Sequence, residues 1–185
     1  MQSLLGDCDD NTVLFCSLLE NLKIPTAFID VPGHILMMFD SGVASDRPLG
    51  SLLPESMFID YRGSLWVPIE VTVLGEDRSF MDAWELGAKI VGQLNVEFKD
   101  RFTIVSEAWK TYPYGDLEEE FIIDLPDDEL LRKSLRDNLN QLETMQGEYF
   151  EKTYVAPLIA NSTNNSLRLS LAKAHIESNN FRLAL

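Results

Sequence analysis

The apolar residues near the start of the chain recur with the period of a helix. Every fourth position is apolar, and neighbouring positions widen the same face; its members are Leu14, Leu18, Leu22, Phe15 and Leu19. This spacing predicts a helix from Cys8 to Leu22. Acidic residues at positions 7, 9 and 10 suit the N-terminus of that helix, because carboxylates cap its free N–H groups. Pro25 follows its end.

The apolar runs that follow are short and are separated by turn residues, which is the pattern of β-strands. Four runs have this character: Thr26 to Val31, His34 to Phe39, Met57 to Tyr61 and Leu65 to Thr72. Pro32-Gly33 joins the first two, and residues 62–64 join the last two. A polar loop is expected over residues 41–55, and a helix over residues 80–96. This order predicts an α+β fold, and the short turns favour antiparallel pairing of the strands.

The pattern changes after residue 100. We expect a short strand from Phe102 to Val105, a turn-like aromatic segment from Trp109 to Tyr114, and a long helix from about Asp128 to Tyr154. Residues 166–185 are predicted to be helical again. The expected organisation is therefore a core at residues 1–100, a connecting segment with the long helix at 101–160, and a helical tail at 161–185.

The charge balance limits the partners that the chain suits. Fifteen basic and thirty acidic residues give a formal net charge of −15. Such a charge repels nucleic acid and anionic membranes, so neither is an expected partner. A solvated acidic surface is a commoner explanation than a cationic partner. No apolar run reaches the ~20 residues of a membrane helix. The start of the chain lacks the features of a signal peptide, which leaves the cytoplasm and the cell envelope both open.

The cysteines and histidines are too few and too widely spaced for a structural zinc site. The chain has only Cys8 and Cys16, together with His34 and His175, and contains no CxxC motif. Eight residues along a helix separate the two cysteines by ~12 Å, so a disulfide between them is not expected. Cys16 lies among apolar residues and is predicted to belong to the core. No metal and no cofactor are expected.

Cys8 and His34 have the placement that a thiol nucleophile needs. A thiol at the start of a helix gains from the free N–H groups and the helix dipole, which favour the thiolate. The Cys8 backbone N–H is then a natural oxyanion donor. His34 opens a strand directly after a tight turn and can present its imidazole from a rigid position. A third group, an acid or an amide, is needed to hold the imidazole in the right tautomer.

Three segments in this order resemble the catalytic core of transglutaminase-like, papain-related cysteine proteases. Residues 6–27, which begin GDCDD and end KIPTA, are similar to that family's nucleophile helix and the strand after it. The PGH segment at 32–34 resembles its histidine strand, and LWVPIEVT at 65–72 resembles its third element. The resemblance covers roughly residues 1 to 90, and the Cys–His–acid order is the family's order.

The resemblance implies a papain-like core in which a helix bearing Cys8 packs on an antiparallel sheet bearing His34 and Glu70. Cys8 would be the nucleophile, His34 the general base and acid, and Glu70 the orienting acid. The family usually has aspartate at the third position, and Asp40 and Asp60 are the other acids to consider. An aspartate that faces the thiol would raise its pKa, whereas one that points outward as a cap would cost little.

The implied reaction is cysteine-dependent acyl transfer on a protein or peptide substrate. Hydrolysis of a peptide or isopeptide amide is the first expectation, and cross-linking by an amine is the second. The competing hypothesis is a catalytically inactive module that binds proteins, partly through its C-terminal helices. Residues 166–185 loosely resemble the first part of a truncated tetratricopeptide-type unit, although an ordinary amphipathic helix explains them as well. A purely structural helical scaffold would leave the Cys–His–acid order unexplained.

Overall fold

The computed structural model describes residues 7–46, 53–75, 78–94, 101–113 and 126–177. The helices are α1 (Cys8–Asn21), α2 (Phe80–Gly92), α3 (Val105–Thr111), α4 (Asp128–Phe150), α5 (Ala156–Ala160) and α6 (Asn165–Glu177). The strands are β1 (Thr26–Val31), β2 (His34–Ala44), β3 (Ile59–Tyr61), β4 (Ser64–Ile69) and β5 (Phe102–Ile104). Short 3₁₀ turns cover Glu55–Met57 and Val71–Gly75, and a π-helical turn, Glu151–Val155, joins α4 to α5.

The strands form one antiparallel sheet in the order β3-β4-β2-β1-β5. Val31 pairs with His34 across the hairpin of β1 and β2, so the Pro32-Gly33 turn fixes the register of both strands. Gly33 has a φ of 75°, a left-handed conformation that glycine adopts without strain. The predicted α+β class and the predicted antiparallel pairing are both confirmed.

Helix α1 packs on the sheet with its smaller side chains. Thr12 and Cys16 are completely buried, and Phe15 and Leu19 pack against the same core cluster. The predicted helical period is confirmed. The leucines spaced four residues apart do not form the buried face, however, because Leu14, Leu18 and Leu22 are 53%, 54% and 68% exposed. Small residues at the contact let the helix backbone approach the sheet closely, which turns the leucine row outward.

Helix α2 packs against β4 and the turn at Glu55–Met57. Ser79 and Asp82 form a reciprocal capping box at its start. Ala83 and Trp84 are buried, and the Trp84 indole donates a hydrogen bond to the Met57 carbonyl at 2.6 Å. Gly87 faces the backbone of β4, and this close approach fixes the end of the strand that leads to Glu70.

The bounds of several elements differ from the sequence-based expectation. β2 continues to Ala44, into the segment predicted to be a loop, while β4 ends at Ile69 and leaves Glu70 just beyond the strand. The turn-like segment predicted from Trp109 is wrong over most of its described part, because α3 extends to Thr111. Trp109 packs against the main core cluster, and this contact supports helix where the local sequence favours a turn.

The C-terminal helices pack loosely compared with the sheet. Leu142 and Met145 of α4 reach the core cluster, and Phe150 contacts the His175 ring at 4.7 Å between centroids. The predicted helix after residue 166 is observed as α6, and residues 178–185 lie outside the described residues. Across the described ranges, no helix combines the length and the apolar character needed to cross a membrane. The likeness to a tetratricopeptide unit stays a prediction.

Candidate functional site

Cys8 is the first residue of α1, as the sequence predicts. Asp7 caps the helix, and its Oδ1 accepts hydrogen bonds from the backbone N–H groups of Asp9 and Asp10 at 3.2 and 3.3 Å. The Cys8 side chain is half-buried rather than enclosed. The helix N-terminus therefore presents the thiol at the surface of the fold, where solvent can reach it.

The Cys8 thiol donates a hydrogen bond to Asp9 Oδ1 at 3.3 Å. This bond is the main reason that the pKa of Cys8 is raised above its usual value, and burial and the charges of Asp9 and Asp7 act in the same direction. A backbone hydrogen bond from Ile35 opposes them and lowers the pKa. The Cys8 thiol thus lies beside the backbone of Ile35, the residue after His34. Asp9 is the acid that faces the thiol.

His34 and Glu70 form the closest polar pair of the site. His34 Nε2 lies 2.6 Å from Glu70 Oε2, and the two side chains are 28% and 4% exposed. His34 opens β2 and Glu70 follows the end of β4, so the antiparallel pairing of these strands brings residues 36 positions apart into contact. With Nε2 bonded to the carboxylate, Nδ1 is the ring nitrogen that remains for a thiol or a substrate.

The second oxygen of Glu70 is held by Thr72. Glu70 Oε1 accepts hydrogen bonds from the Thr72 backbone N–H at 3.1 Å and from Thr72 Oγ1 at 2.5 Å. The Glu70 backbone N–H donates to the Ala83 carbonyl at 3.0 Å, which ties this point of the chain to α2. A buried carboxylate with both oxygens bonded is fixed in place, and it can hold the imidazole in one orientation.

Thr72 and Ile35 have contacts at the site that the sequence did not assign. The local signal for Thr72 is its position two residues after the acid, a spacing at which a hydroxyl and a backbone N–H reach one carboxylate. No comparable signal marks Ile35, because its contribution is a backbone group that any residue carries.

The two other acids considered for the third position do not contact His34. Asp40 accepts hydrogen bonds from Ser64 Oγ at 2.5 Å and from the Gly42 backbone at 2.9 Å, within the bulge of β2. Asp60 is exposed on β3. The structure therefore pairs the imidazole with Glu70, which lies one residue beyond the end of β4.

Cys16 provides an internal reference for Cys8. It is completely buried, and burial raises its pKa to about 12, with a hydrogen bond from Thr26 acting in the opposite direction. Cys16 accordingly stays a neutral, shielded thiol near neutral pH, as its predicted place in the core implies. A difference in reactivity between the two cysteines reports on the environment of Cys8.

Asp9→Asn is expected to lower the pKa of Cys8 and to speed its alkylation at neutral pH. The substitution removes the charged acceptor that favours the neutral thiol, while the helix N-terminus and the Ile35 hydrogen bond remain. The measurement is the rate of iodoacetamide labelling against pH, with the labelled cysteine located by mass spectrometry. The midpoint of the Cys8 profile should move to lower pH.

Asp10→Asn is the matched control for this prediction. It removes one carboxylate from the same helical turn, yet Asp10 is not the acceptor of the thiol hydrogen bond. If both variants shift the midpoint equally, general charge rather than the Asp9 contact sets the reactivity of Cys8.

Across the described ranges, no three His, Cys, Asp or Glu side chains converge as a set that could hold a metal ion. The candidate site combines a thiol, an imidazole, a buried carboxylate and the threonine that holds this carboxylate. Searches for a matching family model, a similar curated protein and a similar solved structure all found no match.

Proposed function

We propose that this chain is a transglutaminase-like, papain-related cysteine enzyme that transfers acyl groups, with Cys8 as nucleophile, His34 as base and Glu70 as orienting acid. The observation that carries the proposal is the 2.6 Å contact between His34 Nε2 and a buried, doubly anchored Glu70, made at the strand end beside the Cys8 thiol. A carboxylate held this firmly against one ring nitrogen leaves the other nitrogen to handle the proton of the thiol.

In the proposed reaction, His34 Nδ1 takes the proton of Cys8, and the thiolate sulfur attacks the carbonyl carbon of an amide. The Cys8 backbone N–H, at the helix N-terminus, donates to the oxyanion that forms. Collapse of this intermediate breaks the C–N bond, and the imidazolium returns its proton to the departing amine. A thioester between the substrate acyl group and Cys8 remains.

The second half of the reaction regenerates the thiol. His34 removes a proton from a water molecule, and the hydroxide attacks the thioester. The C–S bond then breaks, the acid is released, and the imidazolium returns its proton to the departing Cys8 thiolate. Hydrolysis is the favoured outcome because the His34 ring is 28% exposed, so water has access to the base. An amine in place of water would give a cross-link by the same steps. The substrate class is a peptide or isopeptide amide of a protein.

The direct test is acylation by p-nitrophenyl acetate. The wild-type chain should release p-nitrophenol, form an acetyl thioester on Cys8 and hydrolyse it, while His34→Ala should slow both steps by ~10²–10⁴-fold, the usual contribution of a general base. Mass spectrometry locates the acetyl group, and Cys8→Ala should carry none. Cys16 serves as the reference thiol within each sample.

Acetylation of Cys8 at the rate of a free peptide thiol, with no effect of His34→Ala, would overturn the catalytic proposal. His175→Ala is the matched control, since His175 lies on α6 against Phe150. Equal effects of the two histidine substitutions would show that the loss does not arise from the pair with Glu70.

The second candidate is a catalytically inactive module of the same fold that binds proteins. The observation in its favour is the hydrogen bond from Cys8 to Asp9, which favours the neutral thiol and directs it to a carboxylate. The Asp9→Asn profile separates the two. If the substitution leaves Cys8 no more reactive than a free peptide thiol, and acylation fails in the variant as well, the inactive module is the better description.

A further inference from the structure

The outer face of α1 carries a row of exposed leucines, on which no other part of the described chain packs closely. Leu14, Leu18 and Leu22 are each more than half exposed, although amphipathic helices usually turn such a row toward a core. In this chain Thr12 and Cys16 occupy the inward face. The leucine row of α1 (Leu14, Leu18 and Leu22) is therefore not needed to attach the helix to the sheet.

An apolar groove lies beside this row. Its volume is about 430 Å³, and every side chain that lines it is apolar. Its lining includes Leu18 and Leu19 of α1, Leu74 of the turn after β4, Phe80 of α2, and Met37 and Phe39 of β2. Leu18 belongs both to the leucine row and to the groove wall, so the two form one surface.

Phe80 extends this surface toward α4. Its ring lies 6.4 Å from that of Phe39, and Phe80 also lines a second groove of about 420 Å³. That groove is walled by the α4 leucines Leu131, Leu135 and Leu139, which are 50%, 61% and 48% exposed. Two rows of exposed leucines on either side of the Phe80 ring form a continuous apolar patch. An ordinary protein surface carries only scattered apolar residues, and such a patch is typical of an interaction site.

The charges along α1 indicate the chemistry of the partner, because Asp10 stands one helical turn before Leu14 and continues the line of the leucine row. Helix α1 carries three acidic residues, Asp9, Asp10 and Glu20, and no basic residue. Asp7 adds a fourth acid at its N-terminal cap, and Lys23 follows its other end. The N-terminal end of the leucine row is therefore acidic. A second copy of the chain would bring the same acidic helix against this one, and like charges across an interface oppose association.

We propose that the groove beside α1 binds a polypeptide segment with an apolar ridge and basic residues, the basic residues lying toward Asp7, Asp9 and Asp10. The apolar ridge enters the groove between Leu18 and Phe80, as an amphipathic helix enters a hydrophobic groove. The basic residues of the segment complement the negative charge at the acidic end of α1. This binding goes beyond the proposed reaction and does not depend on it, because it needs no reactive thiol.

The test uses the full-length chain with the substitution Cys8→Ala, so that no covalent reaction at Cys8 contributes to binding. The probe is a fluorescent synthetic helical peptide of about five turns, with leucines on one face and lysines on the other. Fluorescence anisotropy should show saturable binding. Leu18→Ser should weaken it about 10-fold, since the variant loses a groove wall, and Asp10→Asn should weaken it and reduce its dependence on salt.

Two controls make the result specific. Leu169→Ser removes a leucine of α6 that is 58% exposed and distant in sequence from the groove, and it should leave binding unchanged. A peptide with glutamate in place of lysine should bind much more weakly. Equal losses for Leu18→Ser and Leu169→Ser, or equal binding of the two peptides, would overturn the proposal.

Self-association is an alternative occupant that the experiment must test. Sedimentation of the chain alone should show a monomer over the concentrations used for the peptide. A dimer that Leu18→Ser dissociates would mean that a second copy covers the leucine row, and the proposal of a basic partner would then be wrong.

Discussion

Replacing Glu70 with glutamine is expected to slow acylation of Cys8 by roughly 10³-fold or more while leaving the fold intact, as loss of the orienting carboxylate does in Ser-His-Asp triads. The side chain keeps its size, so packing around this buried position changes little. The effect arises instead from the direction of hydrogen bonding, which Thr72 controls.

Thr72 determines which atom of the glutamine faces His34. Its backbone N–H is a donor and needs an oxygen, and Thr72 Oγ1 is already bonded to the same carboxylate oxygen. The glutamine carbonyl therefore takes the position of Glu70 Oε1, and the amide NH₂ takes the position of Oε2 beside His34 Nε2. An NH₂ group donates, so Nε2 must accept and the ring proton moves to Nδ1. The nitrogen left for the thiol then carries a proton and is not a base.

Two measurements check this prediction. Acylation by p-nitrophenyl acetate gives the rate, and long-range nitrogen NMR of the imidazoles gives the tautomer. The chain has only two histidines, so His34→Ala assigns both sets of signals. Wild type should carry the proton on Nε2, and Glu70→Gln should carry it on Nδ1. A change of tautomer is a result that a merely structural role of Glu70 would not produce.

Asp40→Asn is the matched control, because it neutralises an acid of β2 whose hydrogen bonds go to Ser64 and Gly42. It should keep the wild-type tautomer and rate. Wild-type acylation in Glu70→Gln, together with an unchanged tautomer, would contradict the assignment of Glu70 as the orienting acid.

The order of elements around Cys8, His34 and Glu70 could be predicted from the sequence, because the signals are local. A capped helix start and the Pro32-Gly33 turn each depend on residues close together in the chain. The contact between His34 and Glu70 depends on pairing between distant strands, and it was expected only from the family resemblance. The spacing of Thr72 from Glu70 is a local signal, but it does not fix the bond between them, which depends on the turn that follows β4.

The helical period of α1 predicted the helix but only part of its buried face, since Phe15 and Leu19 pack on the core and the leucine row does not. Hydrophobicity alone favours the leucine row, yet the contact with the sheet selects Thr12 and Cys16, which are small enough for close packing. The prediction of a turn-like segment at Trp109 was wrong for a similar reason. Trp109 packs against the core cluster, and that tertiary contact outweighs a weak local preference for a turn. Both differences arise where packing between elements decides.

Gly87→Ala is expected to lower the free energy of unfolding by about 1–3 kcal/mol, the usual cost of forcing extra atoms into a packed contact. A Cβ at this position would lie 2.6 Å from the Pro68 carbonyl oxygen and 2.9 Å from the Ile69 nitrogen. Both are backbone atoms of β4, so no side-chain rotation relieves the overlap. Helix α2 or the end of β4 must shift, and Glu70 is the next residue along the chain. We therefore expect a loss of Cys8 acylation as well, even under conditions where the variant is folded.

Gly92→Ala on the same helix is the control, measured by urea denaturation alongside Gly87→Ala. A Cβ at Gly92 would meet nothing within 4 Å, so only helix propensity acts there, and stability should stay the same or rise by up to about 1 kcal/mol. The two substitutions are chemically identical, so opposite effects would isolate the close approach of α2 to β4 as the cause. Equal effects would mean that this approach does not limit stability. A Gly87→Ala variant could also be destabilised and still acylate Cys8 at the wild-type rate when it is folded. That result would contradict the expectation that the contact between α2 and β4 controls the placement of Glu70.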